Sequence, residues 1–212
     1  MEFIAPDLDA YVQAHTGPQK DYLLRLERET HLKTLKPRML SGAFQGRFLS
    51  MLSSMIRPEK ILEIGTFTGY SALCLAEGLA PNGVLHTLES NEELEPLVRR
   101  YIAEANMEHK IRLHIGDALA LLKEIDGPFD LVFIDAAKKE YAAYYDAVFD
   151  KVKVGGYLIA DNALWSGKIL QIKMDADTAL MDAFNKKVHA DSRVENILLP
   201  IRDGLLVMRK IA

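Results

Sequence analysis

The sequence predicts an α/β protein built on a parallel sheet, and three observations predict it. Short apolar runs alternate with longer amphipathic ones, a glycine-bearing turn follows the first run, and only the last two runs are joined by a short connection. Five runs have strand character: KILEI (60–64), VLHTLE (84–89), IRLHIG (111–116), FDLVFID (129–135) and GYLIAD (156–161). Between them, stretches such as SALCLAEGL (71–79) and EELEPLVRRYIAEAN (92–106) repeat apolar residues every three or four positions, the period of a helix. Alternation at this rhythm implies right-handed crossovers, so helices should cover both faces of the sheet.

The remaining elements follow in order. Residues 1–58 hold two helical segments, about 18–35 and 43–56, broken at KPRMLSG, where Pro37 and Gly42 interrupt the periodicity. They are short for a domain of their own and should pack on the sheet or cover a site. One domain is therefore expected over 1–212, a helical segment (1–58) on a core (59–212). After the fifth strand a helix near 176–190 leads to VENILLP (194–200) and LLVMRKI (205–211). So short a link forces antiparallel pairing, because a parallel crossover needs a dozen residues or more. The sheet should end in a reversed strand.

Composition narrows the function. With 49% hydrophobic and 26% charged residues, the chain has the balance of an ordinary globular protein. A net charge of −4 gives no electrostatic reason to expect nucleic acid or an anionic membrane as partner. No apolar run approaches the ~20 residues of a membrane span, and MEFIAPDLDAY lacks the pattern of a signal peptide, so a cytoplasmic protein is expected. The single cysteine, Cys74, sits in an apolar helical pattern and reads as a core residue. The six histidines show no metal-ligand spacing.

The turn in ILEIGTFTGYSAL places Gly65 and Gly69 between a strand and a helix beginning near Ser71. Glycine lets the chain bend and lets a ligand approach the backbone; a sharp turn alone accounts for one glycine better than for both. No phosphate-cradling G-x-x-x-x-G-K-[ST] is present, and the spacing departs from the pyrophosphate-binding G-x-G-x-x-G. Glu63, just before the turn, suits a cationic ligand, and Glu89, closing the second strand, can accept from ribose hydroxyls. Ribose and a cation without phosphate describe S-adenosylmethionine.

Taken together, ILEIGTFTGYSAL, Glu89, IGDA (115–118), FDLVFIDAAKKEY (129–141) and IADNALWSG (159–167) resemble the cation-dependent O-methyltransferases, the group of catechol and caffeoyl-coenzyme A O-methyltransferases. The likeness runs from about Met39 to the last residues. It implies a Rossmann-like, doubly wound sheet of seven strands with the last strands reversed. It also implies a cofactor site of Met39, Glu63, Gly65, Phe67, Ser71, Glu89, Asp117, Ala118 and Asp135.

The pair Asp161-Asn162 in YLIADNALWSG reads by itself as a strand-ending Asx turn. Asp135 and Asp161, however, close neighbouring strands, and open α/β sheets bind ligands beyond those ends. Two carboxylates and an amide oxygen suit a hard ion, with open positions for water and substrate in the manner of Mg²⁺. The resemblance implies Asp135, Asp161 and Asn162 as the metal ligands and Lys138 as the general base. Taken alone, Lys138 beside Lys139 and Glu140 is a solvated lysine. Met39 would cover the cofactor, and Trp165 and Asn185 would border an aromatic acceptor. Core packing is the competing reading for Met39 and Trp165, and a solvated helix position for Asn185.

The expected activity is metal-dependent methylation of a vicinal dihydroxyphenyl hydroxyl. A metal-independent methyltransferase of similar fold, or a non-catalytic adenosyl-binding protein, are the alternatives. Free catechols, hydroxycinnamates and coenzyme A thioesters all stay open as acceptors, and family analogy adds a homodimer.

Overall fold

The computed structural model describes residues 4–212; the reading of the amino terminus rests partly on residues 1–3, outside the described residues. Among the described residues, seven strands form one sheet: β1 (Lys60–Ile64), β2 (Val84–Glu89), β3 (Ile111–Ile115), β4 (Phe129–Ile134), β5 (Val152–Ala160), β6 (Val194–Leu199) and β7 (Leu205–Lys210). Their spatial order is β3-β2-β1-β4-β5-β7-β6, with β1 to β5 parallel and β7 antiparallel to both β5 and β6. Only β7 is reversed. It enters between β5 and β6, which leaves β6, rather than the reversed strand, at the edge of the sheet.

The helices are α1 (Pro6–Ala14), α2 (Asp21–Lys33), α3 (Gly42–Ile56), α4 (Tyr70–Ala76), α5 (Glu95–Glu104), α6 (Ala118–Glu124), α7 (Tyr141–Phe149) and α8 (Ala176–Ala190). Side chains alternate across a strand, so the apolar central strands feed two cores. Leu62, Ile64, Val132, Ile134 and Leu158 pack with Tyr141 and Tyr145 of α7 and Phe184 of α8. Ile61, Leu131, Phe133 and Ile159 face the other way, against Leu73 of α4, Val98 of α5, Leu26 of α2 and Leu49 of α3. The early helices α2 and α3 thus complete one face of the sheet. Each such side chain, fully buried, contributes about 1.5–3 kcal/mol.

Several boundaries differ from the sequence expectation for local reasons. Helix α1 was not anticipated; Pro6 and the acidic Asp7 and Asp9 favour its start, but it buries none of its residues. The segment 92–106 begins as a 3-10 turn, Glu92–Leu94, before Pro96 sets the first turn of α5. Strand β5 starts at Val152, four residues early, because Gly155 at φ 85° absorbs a register irregularity that reads as a turn in sequence. Among the described residues, no helix is long and apolar enough to cross a membrane.

Candidate active site

Hydrogen bonds continue past the strand ends and set one rim. Gly65 N–H donates to Leu88 O (3.0 Å), Asp135 N–H to Ile64 O (2.9 Å), Asp161 N–H to Ile134 O (3.0 Å) and Gly116 N–H to Glu89 O (2.8 Å). Glu89, Gly65, Asp135 and Asp161 therefore lie side by side at the carboxyl ends of β2, β1, β4 and β5.

Both glycines of the first turn have a conformational reason. Gly65 (φ 101°) and Gly69 (φ 91°) are left-handed, and a Cβ on Gly65 would stand 2.0 Å from Asp135 O. The turn is fastened to β2: the Phe67 amide donates to Glu89 Oε2 (2.7 Å), and the Asn91 amide to Oε1 (2.8 Å). Glu63 is wholly buried, with the Thr87 hydroxyl on its Oε2 (2.5 Å) and, among the described residues, no hydrogen-bond partner for its Oε1. Burial pushes its pKa up to about 8, against the Ser71 and Thr87 hydroxyls and with help from Asp135 and Glu89. Ser71 is buried in α4. Asp117 caps α6 by accepting from Ala120 N–H (2.8 Å), which leaves Ala118 as its first residue.

At the neighbouring strand ends, Asp161 is 4% exposed and accepts from Gln45 Nε2 (2.7 Å) and the Asn162 amide (2.6 Å). Burial, then the Asp135 carboxylate, raise its pKa to about 7. The buried Gln45 Oε1 has no hydrogen-bond partner among the described residues. Lys138 Nζ donates to Asp135 Oδ1 (2.8 Å) and to the Tyr141 hydroxyl (2.7 Å). Burial favours the neutral amine, but Tyr141 and Asp135 outweigh it and hold Lys138 as an ammonium. Among the described residues, no group of three or more His, Cys, Asp and Glu forms a metal site. A cation at this rim would rest on two mutually repelling carboxylates and an amide. That donor set fits a hard divalent ion, whose charge would relieve the repulsion.

The loop after β5 is bent rather than extended. Asn162 (φ 58°), Trp165 (φ 47°), Ser166 (φ 52°) and Gly167 (φ 73°) are all left-handed, and Trp165 N–H closes a turn on Asn162 O (3.0 Å). A turn does follow the strand, but it is a backbone turn and not the expected Asx turn: the Ala163 and Leu164 amides that an Asx turn at Asp161 or Asn162 would use donate instead to Gly204 O and Asp203 O. Trp165 packs against the α7/α8 core while staying partly exposed, so core packing accounts for only part of its surface. Asn185 is no solvated helix residue: its Nδ2 donates to Ala163 O (2.7 Å), and its buried Oδ1 has no partner among the described residues. Met39 is 55% exposed, which rules out core packing; the adjacent Leu40 is the core residue. Cys74 is a buried core residue as expected, and burial pushes its thiol pKa up.

Sequence reasoning missed four residues here. Gln45 reaches Asp161, Tyr141 supports Lys138, and the β6–β7 turn supplies Arg202 and Asp203. Arg202 Nη1 donates to the carbonyls of Leu40 and Ser41, and Asp203 accepts from Asn162 Nδ2 (3.2 Å) and the Ser166 amide. Only Tyr141 had a signal, its three-residue spacing from Lys138. An open cavity of about 730 Å³, lined by Lys20, Arg47, Met51, Met55, Glu77 and others, includes none of these residues and is not the reacting centre.

Comparisons with known proteins agree with this fold. A family model described as O-methyltransferase matches residues 13–211. Caffeoyl-CoA O-methyltransferase 1 of Arabidopsis thaliana is 32% identical, the match covering 97% of this chain and 85% of that protein. The O-methyltransferase of Bacillus cereus, solved in complex with SAH, is 29% identical with a TM-score of 0.87, covering 96% of this chain and 97% of that one. An SAH-bound methyltransferase of Podospora anserina gives a TM-score of 0.89 at 25% identity, covering 99% of both chains.

Proposed function

Because this chain belongs to the O-methyltransferase family, in its cation-dependent caffeoyl-coenzyme A type, and is an S-adenosylmethionine-dependent enzyme, we propose that it methylates one hydroxyl of a vicinal dihydroxyphenyl acceptor with a divalent cation such as Mg²⁺. The observation that carries the metal is the placement of two acidic side chains, Asp135 and Asp161, at the adjacent carboxyl ends of β4 and β5, with Asn162 next in the chain.

In this reading Asp135, Asp161 and Asn162 hold the cation. Met39, Glu63, Gly65, Phe67, Ser71, Glu89, Asp117, Ala118 and Asp135 surround S-adenosylmethionine, whose sulfonium carries the methyl group to be transferred. When bound, the cation supplies Lewis acidity that favours ionisation of an acceptor hydroxyl. Lys138 Nζ takes that proton, and Tyr141 holds the lysine in place. The ion pair with Asp135 and the contact with Tyr141 keep Lys138 charged, so it must first release a proton to solvent before it can accept one; a cation shared by the Asp135 carboxylate would make that release easier. Trp165 and Asn185 border the acceptor. Opposite charges neutralise during in-line transfer, so alignment and exclusion of water matter more than stabilising new charge. The side chains of Lys138 and Asp135, only 17% and 19% exposed, supply part of that dryness.

The test is a methylation assay on free catechols, hydroxycinnamates and coenzyme A thioesters, with and without EDTA. Activity should vanish on chelation and return with Mg²⁺; full activity after thorough chelation would sink the metal mechanism. The same reading carries a homodimer in the cytoplasm, the dimer to be checked by light scattering.

A further inference from the structure

We infer that Asp203 is a positioning residue that fixes which end of the Asn162 amide faces the Asp135–Asp161 rim. The inference rests on the metal reading above and adds a residue to it.

A side-chain amide has two chemically opposite ends, an accepting oxygen and a donating NH₂. Beside two carboxylates the favoured end is NH₂, which cannot ligate a cation. Asp203 removes that choice: its Oδ2 accepts from Asn162 Nδ2 at 3.2 Å, and a carboxylate pairs only with the donating end. The oxygen of Asn162 is thereby released for the rim.

Asp203 is itself held on three sides. Its Oδ1 accepts from the Ser166 amide, its carbonyl from Leu164 N–H (2.8 Å), and the next carbonyl, Gly204 O, from Ala163 N–H (3.0 Å). Gly204 (φ 91°) leaves no room for a side chain, because a Cβ there would meet Leu164 Cγ at 2.5 Å. Arg202 anchors the turn from its other side on the Leu40 and Ser41 carbonyls. An Asp-Gly hairpin turn needs none of these contacts; together they aim the carboxylate. Partners that orient metal ligands typically change metal affinity 10–100-fold when lost.

The probe is Mn²⁺ alone, its affinity followed by electron paramagnetic resonance without cofactor or acceptor. In Asp203→Asn the new oxygen can serve Ser166 N–H, but the new NH₂ then faces that of Asn162. The Asn162 amide should flip, and Mn²⁺ affinity should fall ~10–100-fold with melting temperature and SAH affinity unchanged. Combining Asn162→Asp with Asp203→Asn restores the pair with its polarity reversed and leaves a carboxylate oxygen for the ion, so affinity should return to within a few-fold of wild type. Wild-type affinity in Asp203→Asn overturns the inference, and so does a double variant as weak as the single one, which would make Asp203 a loop support only. If Asp203→Asn does not fold, the double variant decides on the same criterion. Failure of the wild-type protein to bind Mn²⁺ would instead remove the metal reading itself.

Discussion

Replacing Glu63 by glutamine should stabilise the protein at alkaline pH and leave its stability nearly unchanged at acid pH. The side chain is 0% exposed, and its pKa rises from 4.5 to about 8 in the folded state. A carboxyl with a raised folded pKa keeps its proton longer than the unfolded chain does. Its contribution is therefore fully present below about pH 4.5, is lost as pH rises toward 8, and stays lost above that. At 1.36 kcal/mol per pH unit, the whole span corresponds to about 5 kcal/mol. Glutamine keeps the shape and the acceptor for Thr87 but never ionises. Asp161, raised to about 7, titrates with the same sign, so the difference between the two proteins, rather than either curve, isolates Glu63. Urea unfolding at intervals from pH 4 to 9 measures it. The difference should grow in favour of Glu63→Gln across that window; a difference that stays flat would refute the buried, proton-holding carboxyl.

Two further outcomes follow from the same rim. Lys138→Ala should lower turnover by ~10²–10⁴ while SAH binding, read by calorimetry, stays near wild type, and wild-type turnover would remove Lys138 as the base. Gly65→Ala must move at least about 1 Å of backbone, because its Cβ starts 2.0 Å from Asp135 O and such atoms do not approach within 3.0 Å. A misplacement of that size should cost roughly 10² in kcat, and the left-handed φ about 1–3 kcal/mol of stability, read as a lower Tm.

The sheet was legible because burial on both faces writes an unbroken apolar run, as in FDLVFID, whatever the tertiary detail. The rim residues were legible because Glu89, Asp135 and Asp161 end such runs, and a strand end is a place the sequence marks. Gln45 and Asp203 were not legible. Gln45 meets Asp161 across 116 residues, and Asp203 meets Asn162 across 41. Nothing local to FQG or RDG encodes those meetings, and Asp-Gly between apolar runs reads simply as a hairpin turn. The bulge at Gly155 was hidden for a related reason: a glycine before a strand and one within it look alike in sequence.

The place of β7 has a consequence for how the molecule is made. Parallel strands β1 to β5 can assemble as they are synthesised, yet β5 then waits with an open edge until residues 205–210 arrive to pair with it. An unpaired apolar edge is a template for foreign strands, so a chain stalled before β7 is the form most exposed to aggregation. The turn that carries Arg202 and Asp203 arrives in the same interval. A nascent chain therefore fastens the loop after β5 only when it also closes its sheet.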